Sequence, residues 1–325
     1  MDKNEQIEFF NRLKEALPKN ENLAQDVADI LNLSLDSVYR RIRGNSALTY
    51  VELLTLQRHL NLRQSVLFPM DSIEEVNFIY ARPAYGNDIQ VFLQEIADQM
   101  SLANRRQSMH VSLASDDLPF FMHFLTPGLL SFKLHVFSNT PIPVDAHKED
   151  TSPEMQQLFA TILMRWLESD SDEVWGSAPL DSTLKQIEYS VANKLISLNH
   201  AASLINEINQ LIEIINDWTR TGHKNAGPIK GGKIKLFHSE LNVGEMNLIL
   251  QWGEEMSVYK SNYGYGYLKT EHPKFCRETR EWITERENNG SLISNSGENF
   301  RVRYIDRLML AVASSSERLG LRNAS

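Results

Sequence analysis

Apolar positions in the first seventy residues repeat at intervals of three and four, the spacing of amphipathic helices. Ile7, Phe10, Leu13 and Leu17 form one stripe and Pro18 stops it, so a helix is predicted over 4–17. Asn22 precedes a second stripe of Leu23, Val27, Ile30 and Leu31, with Gln25 at the spacing of a capping box. Asn32 suits the left-handed backbone that closes a helix before a tight turn. Ser34 then caps a third helix over 35–43, with Asp36 favourable in its first turn, Leu33 and Val38 at staple spacing and Gly44 as the stop. Thr49 and Glu52 form a further capping box, flanked by Leu48 and Leu53, and open a fourth helix that runs to about residue 60.

Beyond residue 60 the periodicity is short and broken by Pro69, Pro83 and Gly86, which sets a linker of 71–86 between a first domain of 1–70 and a second of 87–325. Asn87 caps a predicted helix reaching about residue 103, with Ile89, Phe92, Leu93, Ile96 and Met100 on one face. Residues 109–114 read as a short strand, 132–137 as a strand or part of a buried helix, 142–153 as a loop and 154–168 as a helix. From 181 to 220 there is neither Gly nor Pro, and Leu184, Ile187, Val191, Leu198, Ala201, Ile205, Ile208, Ile212 and Ile215 keep the helical interval with only Lys194 intruding. One unbroken helix, ~54 Å long and able to dimerise as a coiled coil, fits that pattern. A helical hairpin that turns at 197–200 inside the domain core fits it as well.

After His223 the pattern changes to alternation broken by Gly-rich turns, which predicts three or so strands within 233–269. A helix follows over 273–288 with Phe275, Thr279, Trp282 and Ile283 inward, then a short strand near 292–294 and a last helix over 304–315. The expected fold class is therefore multidomain. An all-α N-terminal bundle of four or five helices precedes an α+β or α/β C-terminal regulatory domain, helical over 87–222 and mixed over 223–325.

Charge adds a polarity to this outline. The chain of 325 residues carries a formal net charge of −9. Residues 1–70 hold nine basic and nine acidic groups, so all of the surplus negative charge lies in the remainder. Within 34–63 the basic residues Arg40, Arg41, Arg43, Arg58 and Arg63 face only Asp36 and Glu52. A global acidic sum of this kind hides a local basic patch. No apolar run approaches a membrane span, the first twenty residues are too charged for a secretory h-region, and a single cysteine, Cys276, forms no internal disulfide, so a cytoplasmic protein without a membrane partner is expected.

Two short helices joined by a three-residue turn, the second exposing arginines, are the layout of a helix-turn-helix DNA reader. The run LAQDVADILNLSLDSVYRRIRGNSALTYVELLTL resembles the helix-turn-helix of lambda-repressor-like (Xre) regulators, and more closely regulators of Bacteroidetes type with a Tyr-Arg-Arg-Ile-Arg-Gly segment. Ala28, Leu33, Val38 and Ser34 occupy the positions where that family places a small residue, two buried aliphatics and the recognition-helix cap. Asn32 stands where the family has its turn glycine, and Arg41 where an aromatic is frequent. The resemblance covers about residues 5–68 and implies a transcriptional regulator. Its partners are then double-stranded DNA, a second copy of the chain and a small-molecule effector.

With Val38 and Ile42 turned to the core, Leu35, Asp36, Ser37, Tyr39, Arg40 and Arg43 remain outward. The candidate DNA-binding residues are Ser34, Asp36, Ser37, Tyr39, Arg40, Arg41, Arg43 and Arg58. Arg40 or Arg43 can donate two hydrogen bonds to a guanine edge, Ser37 and Tyr39 reach base edges or phosphate, and Arg41 and Arg58 belong nearer the phosphates. The plainer reading of the same residues is a protein-binding bundle whose surface arginines are only solvated.

Elsewhere the sequence carries few marks of chemistry. The Gly227-Pro-Ile-Lys-Gly-Gly-Lys233 run lacks the spacing of a P-loop and reads as a mobile loop. Tyr263, Tyr265 and Tyr267 share one strand face, a pattern of ordinary sheet packing that can also stack a ligand ring. His123, His135, His147 and His238 show no metal-ligand spacing, Cys276 reads as a structural thiol, and the Asp116-Asp117 pair before Pro119 reads as a turn. Neither an enzyme nor a cofactor is expected. Two other readings stay open: an enzyme or nucleotide-binding module carrying a DNA-targeting domain, and an interaction adaptor that binds no DNA.

Overall fold

The computed structural model describes residues 3–16, 22–60, 76–81, 88–102, 108–138, 152–227, 230–262, 266–295 and 298–321. The architecture is mixed α/β, with twelve helices among the described residues and one eight-stranded mixed sheet. The chain divides into two compact units, Met1–Glu75 and Val76–Ser325.

The first unit holds α1 (Lys3–Ala16), α2 (Leu23–Leu31), α3 (Leu35–Ile42) and α4 (Tyr50–His59). Their common core is Phe9, Phe10, Leu13, Ala24, Val27, Ala28, Val38, Leu53 and Leu56. The stripe of α1 is rotated from its expected position. Ile7 is half-buried, while the polar Gln6 is only 2% exposed.

The second unit is built on a sheet of order β1-β7-β6-β5-β2-β3-β4-β8. Its strands are β1 (Ile79–Ala81), β2 (Met109–Ser115), β3 (Asp170–Trp175), β4 (Ile234–His238), β5 (Asn247–Trp252), β6 (Glu255–Asn262), β7 (Gly266–Thr270) and β8 (Ser291–Leu292). β2, β3 and β4 pair in parallel, and every other pairing is antiparallel. Helices α5 (Asp88–Leu102), α6 (Phe120–His123), α7 (Pro127–Ser138), α8 (Pro153–Glu168), α9 (Asp181–Ala192), α10 (Leu198–Thr221) and α12 (Glu298–Arg318) supply side chains to one large core. The sheet meets that core through Val111, Leu113, Trp175, Leu236, Leu248 and Leu250. Its other face packs Ala114, Val174, Ile249 and Val258 against Cys276 and Ile283 of α11 (Pro273–Asn289). Alternate residues of each strand therefore serve different layers, as the two-residue period of a strand requires.

Several expectations are corrected here. The run 181–220 is two helices, so the single dimerising helix does not exist. α9 ends with Lys194 in the left-handed region (φ 58°), closed by Leu195 N–H donating to the Ser190 carbonyl at 2.8 Å. Ser197 then caps α10, its hydroxyl accepting from His200 N–H at 3.1 Å. Of the seam, Leu184, Ile187, Ala201, Ile205, Ile208, Ile212 and Ile215 are spent on the core of the unit, with Leu204 and Leu211 beside them and Val191 packed against it, while Leu198 is exposed. The one intruding lysine of the pattern marks the break.

Residues 132–137 take the helical one of the two alternatives, within α7, where Phe132 and Lys133 are buried. The span treated as a linker, 71–86, contains β1, which pairs with β7 at the sheet edge. Four strands occupy 233–270 in place of three. The glycine run read as a mobile loop is held tightly in its described part: Lys224 N–H donates to the Gly232 carbonyl at 2.9 Å and Gly232 N–H to the Leu167 carbonyl at 2.7 Å. A Cβ at Gly231 or Gly232 would collide with the carbonyls of Lys224 or Ser169, so these glycines allow two chain segments to pass closely. Residues 87, 142–151, 263 and 265 lie outside the described residues, and with them the expected Asn87 cap, most of the expected loop and two of the three tyrosines. Tyr267 is buried beside Tyr259, ring centroids 5.4 Å apart, as packing within the sheet core.

Candidate nucleic-acid interface

The turn between α2 and α3 is set by three local devices. Asn32 adopts φ 51°, ψ 50°, a conformation that Asn enters more readily than most residues. Leu33 N–H then donates to the Ala28 carbonyl at 2.9 Å, which ends α2 and reverses the chain. The Ser34 hydroxyl accepts from Ser37 N–H and starts α3. Asn22, by contrast, makes no side-chain cap: its carbonyl accepts from Gln25 and Asp26 N–H, while the Gln25 amide binds Asp29.

On α3 a single residue, Val38, is buried. Leu35 (42% exposed), Tyr39 (43%), Asp36, Arg40 and Arg43 face outward, with Ser37 and Ile42 half-buried. Arg40 lies 3.6 Å from Asp36 one turn back, both side chains well exposed, so the pair is screened and easily opened. The Arg43 guanidinium sits 5.8 Å over the Tyr39 ring. A guanidinium, a phenol and two hydroxyls thus share one accessible strip of a helix anchored on its opposite side. Arg58 is exposed in the last turn of α4.

Arg41 stands apart from this strip. Its Nη2 and Nε donate to the two carboxylate oxygens of Glu52 at 2.8 and 3.3 Å, and its Nη1 to the Ser37 carbonyl at 3.2 Å. Both side chains are less than one fifth exposed. Glu52 also accepts from Thr49 N–H at 2.8 Å while Thr49 Oγ1 accepts from Glu52 N–H, the expected capping box. Burial works to raise the Glu52 carboxyl pKa, but the Thr49 N–H and the Arg41 guanidinium outweigh it and hold the carboxyl below its ordinary value. The charge of Arg41 therefore clips α3 to α4 and is not offered to phosphate.

Sequence reasoning missed Gln6. Its Nε2 donates to the carbonyls of Arg41 (2.6 Å) and Ser46 (2.9 Å), and its Oε1 accepts from Leu48 N–H (2.7 Å). One buried amide of α1 thereby satisfies three backbone groups at the end of α3 and in the loop to α4. Its only signal in the sequence is a polar residue at a position where the helical stripe runs apolar.

In the second unit the charged groups gather on the buried Asp172, whose carboxylate meets His110 at 3.1 Å, Arg280 at 3.4 Å and Lys235 at 3.5 Å. No group of three or more His, Cys, Asp or Glu side chains is placed to hold a metal ion there. Cys276 is buried, its thiol directed at the Met256 and Thr270 carbonyls, and burial pushes its pKa up. Asp116 does shape a turn: its carboxylate accepts from Val243 and Gly244 N–H at 3.0 and 2.8 Å. Among the described residues, no helix is long and apolar enough to cross a membrane. No protein-family model, curated protein or solved structure matches the chain.

Proposed function

We propose that the chain is a sequence-specific DNA-binding transcriptional regulator whose first unit is an Xre-like helix-turn-helix and whose second unit senses an effector or holds a dimer. The observation that carries the reading is α3 itself. It is fixed by one buried valine, a serine cap and the Arg41–Glu52 clip, and it presents Leu35, Asp36, Ser37, Tyr39, Arg40 and Arg43 outward as a set. A helix so presented fits a major groove about 12 Å wide, where arginine donates in pairs to guanine O6 and N7. Ser34 at the start of the strip and the exposed Arg58 on α4 suit phosphate contacts that position the helix without specifying sequence. Arg41 is left out of the contact set. One reader helix buries little surface, so useful specificity calls for two half-sites and a second copy of the chain. The cytoplasm is the compartment this function requires.

The test begins with duplexes selected from a random library by the full-length protein. Fluorescence anisotropy on the selected duplex then compares wild type with an Arg40→Ala/Arg43→Ala variant across salt concentrations. The expected result is saturable wild-type binding that falls steeply with salt and is weakened in the variant by about 1 kcal/mol or more. Equal binding of both proteins to selected and scrambled duplexes, with both folded, would overturn the reading.

A further inference from the structure

The large apolar side chains that the first unit leaves exposed are not scattered. Among its described residues they are Leu35, Tyr39, Tyr50 and Val51, and all four lie on α3 or in the first turn of α4. The Arg41–Glu52 clip holds these two segments together. Single exposed apolar residues are ordinary on a protein surface, but their confinement to one pair of joined segments marks a place of interaction. On α3 the outward side chains form two rows, since residues four apart stand one above the other. One row is Leu35, Tyr39 and Arg43, with the Arg43 guanidinium 5.8 Å over the Tyr39 ring. The other is Asp36 and Arg40, 3.6 Å apart.

The two rows differ in what they can recognise. Asp36, Arg40 and Arg43 donate or accept hydrogen bonds, whereas the Leu35 side chain does neither. Leu35 is the first residue of α3, directly after the Ser34 cap, and is 42% exposed. The N-terminal residues of a reader helix are the ones that meet base edges. The apolar group those edges offer in the major groove is the 5-methyl of thymine. We propose that Leu35, with the Tyr39 ring one turn along, reads the 5-methyl group of a thymine in the half-site. Specificity then rests on an apolar contact at one end of the row and on an arginine–guanine contact at the other. The span from Leu35 to Arg43 is ~12 Å along the helix, or about three to four base-pair steps of ~3.4 Å. This inference rests on the reading of α3 as a DNA reader and adds the second base that the helix recognises.

The test uses the full-length protein and the duplex it selects from a random library. Each thymine is replaced in turn by deoxyuridine, which removes the methyl group and leaves every hydrogen-bonding group in place. With wild type, anisotropy should find a thymine whose replacement weakens binding about fourfold, the factor that ~0.8 kcal/mol for one buried methyl group gives. That thymine should lie within about four base pairs of a guanine whose replacement by 7-deazaguanine, which lacks the N7 acceptor, also weakens binding. Leu35→Ala, folded by circular dichroism, should bind the native duplex more weakly and show less than about a 1.5-fold difference between thymine and uracil. Val51→Ala trims an exposed apolar side chain of α4 and should keep the fourfold penalty. Specific binding in which no thymine replacement costs more than about twofold, or a penalty that Leu35→Ala retains in full, overturns this inference and leaves the regulator reading standing. If wild type does not distinguish selected from scrambled duplexes, both fall, and the exposed patch is a surface for another protein.

Discussion

Replacing Gln6 by methionine keeps the length and flexibility of the side chain and deletes its polar atoms. The Arg41 and Ser46 carbonyls and the Leu48 N–H then lose their partner together. At ~1 kcal/mol for each of these three bonds, the loss is about 3 kcal/mol, a large share of the ~4 to 11 kcal/mol expected of a unit of some 75 residues. The effect is local, because all three bonds lie within Met1–Glu75. The five tryptophans Trp166, Trp175, Trp218, Trp252 and Trp282 all belong to the other unit, so their fluorescence serves as an internal control. Hydrogen exchange followed by mass spectrometry should show amides of α1, α3 and α4 losing about 100-fold in protection, since ~1.4 kcal/mol is tenfold. The urea transition seen by tryptophan should stay where it is. A loss below about fivefold, or a parallel shift of the tryptophan transition, would show that Gln6 does not carry the attachment of α1 to α3.

Ser34→Ala removes the cap of α3 and should cost about 1 kcal/mol, read as faster exchange over 35–42 and weaker binding to selected duplexes. The Arg41–Glu52 pair should show a coupling of about 1 to 2 kcal/mol in a double-mutant cycle with Arg41→Met and Glu52→Gln, from exchange in α3 and α4. Because the folded Glu52 carboxyl is held below its ordinary value of 4.5, this contribution should be fully present above that value and disappear as the pH falls through the folded one. In the second unit Lys224 is fully buried, its ammonium lies 4.9 Å over the Trp166 ring without a hydrogen-bond partner among the described residues, and burial lowers its pKa to about 8. A lysine whose folded pKa is lowered destabilises the fold while protonated. Wild-type stability relative to Lys224→Met should therefore rise between pH 8 and 10, and a flat difference in tryptophan-monitored urea unfolding across that window would contradict the assignment.

Local rules made the first unit legible. The left-handed Asn32, the Ser34 cap, the Thr49–Glu52 box and the boundaries of α2, α3 and α4 each depend on residues within a few positions of one another, so the sequence carried them directly. The outward set on α3 followed from helical period alone once Val38 was turned inward. What the sequence could not carry were the contacts that join distant segments. Arg41 belonged to an outward arginine cluster by spacing, and only the approach of α4 gave its charge to Glu52, eleven residues away. Gln6 acquired its role from backbone groups 35 to 42 residues downstream.

In the second unit the same division falls differently. Periodicity announced apolar helices and alternating strands, because burying a face on one side imposes a period whatever the partner. It did not settle how 181–220 is folded, since a dimer seam and a core seam want the same residues at the same spacing; the left-handed Lys194 and the Ser197 cap decided it. Nor did it separate Ile283, which is fully buried against the sheet, from Phe275 and Trp282, which pack half-buried at the edge of the same core. Period fixes which residues can turn inward together. Whether something is there to meet them depends on the pairing of strands and the course of loops far away in the chain, and that is a property of the tertiary structure alone.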